Sequence, residues 1–201
     1  MASAPQQKKA PTSAKAQFTV PGLGQQDGSM VAAVLQERLV ALIDLGLTLK
    51  HVHWNVVGPT FIGVHQMLDP QVDGVLAMVD TTAERIATLG TSPNGLAGNM
   101  VKTRSWDDYS LNRALVSEHL GALELVYVNL IKDHRKAIEK VSDADPVTED
   151  MIIQQTAALE QYHWFVRAHL ESASGSLSTA GTSTEQQASK AAAASAANGR
   201  K

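Results

Sequence analysis

Between Ser29 and Ser172 the apolar residues fall three or four positions apart, and four stretches keep that rhythm long enough to predict long α-helices. In the first, Ser29 to Val57, the stripe is Val31, Leu35, Leu39, Leu42, Leu49, Val52 and Val56, and Gly58-Pro59 ends it. The second, Thr60 to Leu89, places Ile62, Leu68, Val72, Leu76, Val79, Ala83 and Ile86 inward and stops at Gly90. Ser92-Pro93-Asn94-Gly95 marks a turn, and a connection of roughly twenty residues follows, long enough for a short helix. The third helix is expected from Ser110 to Val141. The fourth begins at Asp145-Pro146, an N-cap followed by proline in the first helical position, and continues to Ser172. Its stripe is Met151, Leu159, Tyr162, Val166 and Leu170. Residues 1–28 and 174–201 lack the rhythm; both are read as flexible tails flanking one domain, residues 29–173. Four helices with one long crossover between the second and third fit an all-α, ferritin-like four-helix bundle.

Charge is unevenly spread. Residues 18–171 hold 11 basic and 19 acidic side chains, a net of −8, whereas the whole chain is only −3. The N-terminal tail carries Lys8, Lys9 and Lys15, and the C-terminal one Lys190, Arg200 and Lys201 against Glu185. The picture is an acidic body with weakly basic tails. With no cysteine, thiol catalysis, disulfide scaffolds and cysteine-bound clusters are excluded, and a reducing cytoplasm fits. No run of about 18 apolar residues predicts a membrane span, and nothing at the N-terminus reads as a secretory signal.

The second helix breaks its own pattern at four places: His65, Asp69, Asp80 and Glu84. Each pair is four residues apart, so its members stack on one helix face. Eleven residues separate Asp69 from Asp80, a rotation that returns to within about 20° of the same direction. An imidazole and three carboxylates along an apolar stripe need a partner, and a metal ion supplies one. The pairs cannot share one ion within a chain, because eleven helical residues span roughly 16 Å and a metal–ligand bond about 2 Å. Antiparallel packing against a second copy solves this: His65 and Asp69 of one chain then face Asp80 and Glu84 of the other. A two-fold axis near Gly74 and Val75, where Gly74 and Ala77 are small, makes two identical sites. His53, near the end of the first helix, is a fifth candidate, since the Gly58-Pro59 turn folds that end towards His65. Two imidazoles and three carboxylates suit iron or manganese better than zinc or copper.

The stretch His53-Trp54-Asn55, then Phe61-Ile62-Gly63-Val64-His65-Gln66-Met67-Leu68-Asp69, then Asp80-Thr81-Thr82-Ala83-Glu84-Arg85, resembles the Dps family, the mini-ferritins known as DNA-binding proteins from starved cells. Tyr162-His163-Trp164-Phe165 is similar too, and the likeness spans roughly residues 30–172. Gln66 departs from the glutamate common there. The resemblance implies a homo-oligomer of twelve subunits forming a hollow shell. It also implies ferroxidase sites at two-fold interfaces, with ferrous iron as substrate and hydrogen peroxide as preferred oxidant. By matching positions, His53, His65 and Asp69 come from one subunit and Asp80 and Glu84 from its neighbour. Trp54 takes the place of a tryptophan thought to absorb stray oxidising equivalents. The acidic turn with Asp143, Asp145, Glu149 and Asp150 matches turns that line a three-fold pore.

Plainer readings stand beside these. Asp69 can cap a helix restarting at Pro70. The acidic turn can be helix capping. Glu160-Gln161-Tyr162-His163 has the Glu-x-x-His form of intrasubunit di-iron bundles but no second copy, and is read as structural. His51, His119, His134 and His169 have no ligand-spaced partner, and Trp54 and Trp164 can be packing anchors. DNA binding, with nucleoid association, would rest on the thinly charged tails, whose effect only many copies in a shell could multiply.

Overall fold

A computed structural model of the chain describes residues 18–198, so the N-terminal tail up to residue 17 lies outside the described residues. Four long helices carry the fold: α1 (Gln25–Asn55), α2 (Phe61–Thr88), α4 (Val116–Val141) and α5 (Pro146–Ala168). A short α3 (Ala97–Thr103) sits in the crossover, as its length allowed, and α6 (Glu185–Asn198) follows the bundle. α1 packs on α2 and α4 on α5, and the two hairpins close on each other.

Turn chemistry explains the joints. Gly58 has φ +117° between α1 and α2, and Gly90 has φ +85° just past α2, conformations that cost a side chain dearly. The third predicted helix starts late because Val56–Val57 (β1) pairs in parallel with Ala114–Leu115 (β2). That two-rung ladder holds the chain extended until Leu115, whose N–H donates to the Glu118 carboxylate at 2.8 Å as α4 begins. It also staples the end of α1 to the return of the crossover.

The core has two contiguous parts. One, under the end of α1, gathers Leu49, Val52, Val64, Leu68, Leu123 and Leu159; the other gathers Leu35, Leu39, Ile86, Leu89, Val141 and Ile152. Each fully buried side chain of this size stabilises the fold by about 1.5–3 kcal/mol. The α1 stripe is buried as its spacing predicted. On α2 the prediction needs correction at Ile62 and Leu76, which are 49% and 53% exposed. The buried face of α2 is set by Val64, Leu68, Val72, Val75, Met78 and Ile86.

Both tail boundaries also change. Residues 25–28 belong to α1, with Gly28 buried, and Val20 and Leu23 pack on the core. Residues 185–198 form α6 against α4 rather than a flexible tail. A Cβ at Gly121 would sit 2.5 Å from the Ala188 carbonyl oxygen and 2.8 Å from the Ala192 Cβ, so only glycine admits the backbone of α6 there. Ser/Ala composition reads as low complexity, yet alanine is the best helix former, and small side chains let two helices approach closely.

Candidate metal centre

α1 and α2 bring three of the five predicted ligands together. His53, His65 and Asp69 each offer a ligand atom within 4.8 Å of the others, and no other such group of three occurs among the described residues. His53 is 8% exposed; the other two are half-buried. The imidazoles stack with centroids 3.6 Å apart. Their Nδ1 atoms are used reciprocally: His53 Nδ1 lies 3.0 Å from the His65 carbonyl, and His65 Nδ1 2.9 Å from the His53 carbonyl. A carbonyl only accepts, so both Nδ1 atoms carry the proton and both Nε2 lone pairs are left for a metal.

Asp69 settles one alternative from the sequence. α2 runs unbroken through Pro70, so Asp69 does not cap a restarted helix. Its Oδ1 instead accepts from Lys50 Nζ at 2.7 Å and lies 3.4 Å from His53 Nδ1. The Lys50 hydrogen bond, reinforced by the neighbouring histidines against a desolvation cost, holds the Asp69 carboxyl below the usual range. Lys50 escaped the sequence reading, although it lies one helical turn before His53 and so on the same face.

Asp80 and Glu84 are exposed, and neither makes an ion pair with any described residue. They share the outward face of α2 with Leu76 and Ala77. The four-residue row therefore borders the core stripe rather than lying within it, and among the described residues nothing covers its second half. Gly74 plays a different part from the one expected: the Tyr162 hydroxyl of α5 occupies the space where its Cβ would be. It makes room inside the chain, and only Ala77 of the small pair remains on the open face.

The acidic turn divides. Asp143 and Asp150 are exposed and Glu149 is half-buried. Asp145 is buried at 5% exposure, its Oδ2 bonded to Arg85 Nη2 at 2.6 Å and to the Thr148 hydroxyl, which removes it from any pore lining. Burial alone would raise its pKa, but Thr148 and Arg85 together outweigh that and hold it below the usual range. Trp54, beside His53 at the end of α1, is 73% exposed. The Glu-x-x-His of α5 does not converge on a metal: Glu160 pairs with Arg135, while His163 Nε2 lies 3.4 Å from Glu124. The remaining histidines take backbone or side-chain partners, His51 at Leu111 O, His119 at Tyr109, His134 at Leu130 O and His169 at Phe165 O.

Comparison with known proteins gives this geometry a lineage. The model of the ferritin-like domain matches residues 32–175. The DNA protection during starvation protein of Mycolicibacterium smegmatis is 57% identical over 171 residues, 85% of this chain and 93% of that one. The fine tangled pili major subunit of Haemophilus ducreyi is 49% identical over 162 residues, 81% of this chain and 86% of its own. Among solved structures, Mycobacterium smegmatis Dps superposes with a TM-score of 0.82 at 57% identity, covering 83% of this chain and 95% of that one. DpsA14 from Streptomyces coelicolor gives 0.81 at 53% identity, over 83% and 99%. The chain belongs to the Dps family of ferritin-like proteins.

Proposed function

We propose that this protein is a ferroxidase mini-ferritin, taking ferrous iron as substrate at sites completed between two subunits and storing the ferric product inside a shell of twelve. The observation that carries the reading is the reciprocal imidazole lock beside Asp69, which leaves both Nε2 lone pairs free in a group whose three residues each offer a ligand atom within 4.8 Å of the others. Three ligands from one chain leave room for two more, and Asp80 and Glu84 stand uncovered on the same helix.

An antiparallel α2 from a second copy would bring its Asp80 and Glu84 over His65 and Asp69, with the exposed Leu76 and Ala77 near the axis. Two ferrous ions held together give up one electron each. Hydrogen peroxide takes both electrons and two protons to become two waters, so no hydroxyl radical is released. The ferric ions then hydrolyse and nucleate mineral in the cavity. Trp54, open to solvent beside His53, can donate an electron to an unpaired oxidant. Asp143, Glu149 and Asp150 remain the candidates for a cation entry route; Asp145 does not. Protection of DNA, which the M. smegmatis relative carries in its name, follows here from removing peroxide and ferrous iron together. Direct phosphate contact would rest on the two tails, with Lys8, Lys9 and Lys15 at one end and Lys190, Arg200 and Lys201 at the other, a thin spread of positive charge.

Co-expression of two defective subunits tests the shared site. One carries His53→Ala and His65→Ala, the other Asp80→Ala and Glu84→Ala. Each alone should be inactive with peroxide. In a mixed pair one of the two sites regains all its ligands, so random mixing restores about a quarter of wild-type oxidation. No recovery in well-formed mixed shells would defeat the reading.

A further inference from the structure

At the height of Asp80 and Glu84 the inward side of α2 changes character. Its buried stripe there runs Val75, Met78, Thr82, Ile86, and Thr82, with no exposed surface, is the one polar member of the four. Met78 belongs to one part of the core and Ile86 to the other, so Thr82 stands at the divide between them. A hydroxyl buried there needs a partner, and α5 supplies Gln155, itself 6% exposed. Gln155 Nε2 lies 3.0 Å from the Thr82 hydroxyl, 3.3 Å from that of Thr81 and 3.4 Å from the Met78 carbonyl. The carbonyl only accepts, and the Thr81 hydroxyl already donates to backbone carbonyls of its own helix. The amide nitrogen therefore faces α2; a flipped amide would set its oxygen against the Met78 oxygen. Among the described residues Gln155 Oε1 has no partner, so the grip on α2 is what fixes this side chain.

We infer that Gln155 is a positioning residue for the Asp80 and Glu84 pair, a role that depends on the proposed shared iron site. Thr82 is two residues from each carboxylate, a rotation of about 200°, so it points into the bundle where they point into solvent. Whatever draws Thr82 inward therefore sets how far Asp80 and Glu84 stand out from the bundle. Apolar packing at this place would be non-directional, whereas N–H···O bonds fix both distance and angle. The other polar fastening of this end of α2, from Arg85 to Asp145 and Thr148, lies beyond Glu84. Gln155 is the tether that acts at the level between the two ligands. Metal cages demand ligand placement within about 0.5 Å, and here the carboxylates must meet groups on a separate chain. A shift of this helix face moves both ligands together. Gln155 makes no bond to either carboxylate; it works through Thr82 and the backbone of α2.

The test compares assembled wild-type protein with Gln155→Met, which keeps the volume and removes the N–H groups, and with Thr82→Val, which removes only the hydroxyl. Val141→Ala, at a fully buried position of α4, is a control that weakens the core without removing a polar contact to α2. Anaerobic ferrous titration, steady-state oxidation with peroxide and thermal unfolding are run on all of them and on Asp80→Ala. The expected result is that Gln155→Met and Thr82→Val each weaken ferrous binding and raise the ferrous KM about tenfold, with kcat held within about twofold. The double variant should be no worse than either single one, since both break the same contact. Val141→Ala should unfold at a lower temperature and bind ferrous iron as wild type does. Wild-type ferrous affinity in Gln155→Met and Thr82→Val, beside a loss in Asp80→Ala, would overturn the positioning role and leave the shared site standing. So would an equal loss of affinity in Val141→Ala, or additive losses in the double variant. If Gln155→Met does not assemble, Thr82→Val decides by the same criterion. Undiminished ferrous binding in Asp80→Ala would remove the shared site and the role of Gln155 with it.

Discussion

The two ends of α2 carry equal numbers of candidate ligands and treat them oppositely. At the N-terminal end, His65 and Asp69 are knitted to α1 by the exchanged imidazole bonds and by Lys50. At the C-terminal end, Asp80 and Glu84 project into solvent, while the opposite face is fastened by Ile86 in the core and by Arg85 to Asp145. One half of the site is rigid before any ion arrives; the other is held in place only as part of a rigid helix. The contrast separates two duties that a single ligand list would merge, supporting the fold and, in the proposed function, completing a neighbour's cage.

The largest effects should expose that contrast directly. Asp80→Ala is expected to slow peroxide-driven iron oxidation by about two orders of magnitude while changing unfolding free energy by less than about 0.5 kcal/mol, as for other exposed positions. His53→Ala should slow oxidation as much, yet also cost about 1–3 kcal/mol, because it removes a nearly buried ring and its hydrogen bond to the His65 carbonyl. Stopped-flow oxidation and denaturant unfolding on the same samples decide this, and equal stability losses would erase the distinction between the two ends.

Next in size is the fastening of the C-terminal end. Asp145→Asn leaves Arg85 without its buried counter-charge and should cost about 3 kcal/mol. The sign with pH follows from the lowered Asp145 pKa. The contribution is fully present above the ordinary carboxylate value of 3.8 and disappears as pH falls through the depressed native value. Unfolding curves of wild type and variant should therefore converge only in strong acid; convergence near neutral pH would refute the ion-pair account.

The smallest effect belongs to Lys50. With both partners partly solvent-exposed, Lys50→Met should leave stability within about 0.5 kcal/mol. It should raise anaerobic ferrous affinity a few-fold, because the ammonium competes with iron for Asp69. A fall in affinity would make Lys50 a supporter of the site rather than a competitor.

Much of this was legible in the chain itself. The helical rhythm of α1 located its buried face residue by residue, and the spacing of His65, Asp69, Asp80 and Glu84 separated two ligand pairs, the first of which the structure gathers with His53. The misses have physical causes. Ile62 and Leu76 fit a helical stripe by period, but period cannot say how wide the covered face is. β1 and β2 are two residues each, below any sequence pattern, and they delay α4. α6 is built from alanine and serine, whose packing value depends on Gly121 sixty-odd positions away. Lys50 carried no signal of its own until α2 brought Asp69 beside it.

The exchanged bonds between His53 and His65 link the chemistry to the alignment of the first hairpin. If α1 slid along α2 by one turn, both carbonyl acceptors would leave together and neither ring would keep its tautomer. In the proposed function, iron oxidation would thereby be silent in a wrongly aligned chain, and a subunit would acquire its reactivity only once the hairpin has closed in the correct frame.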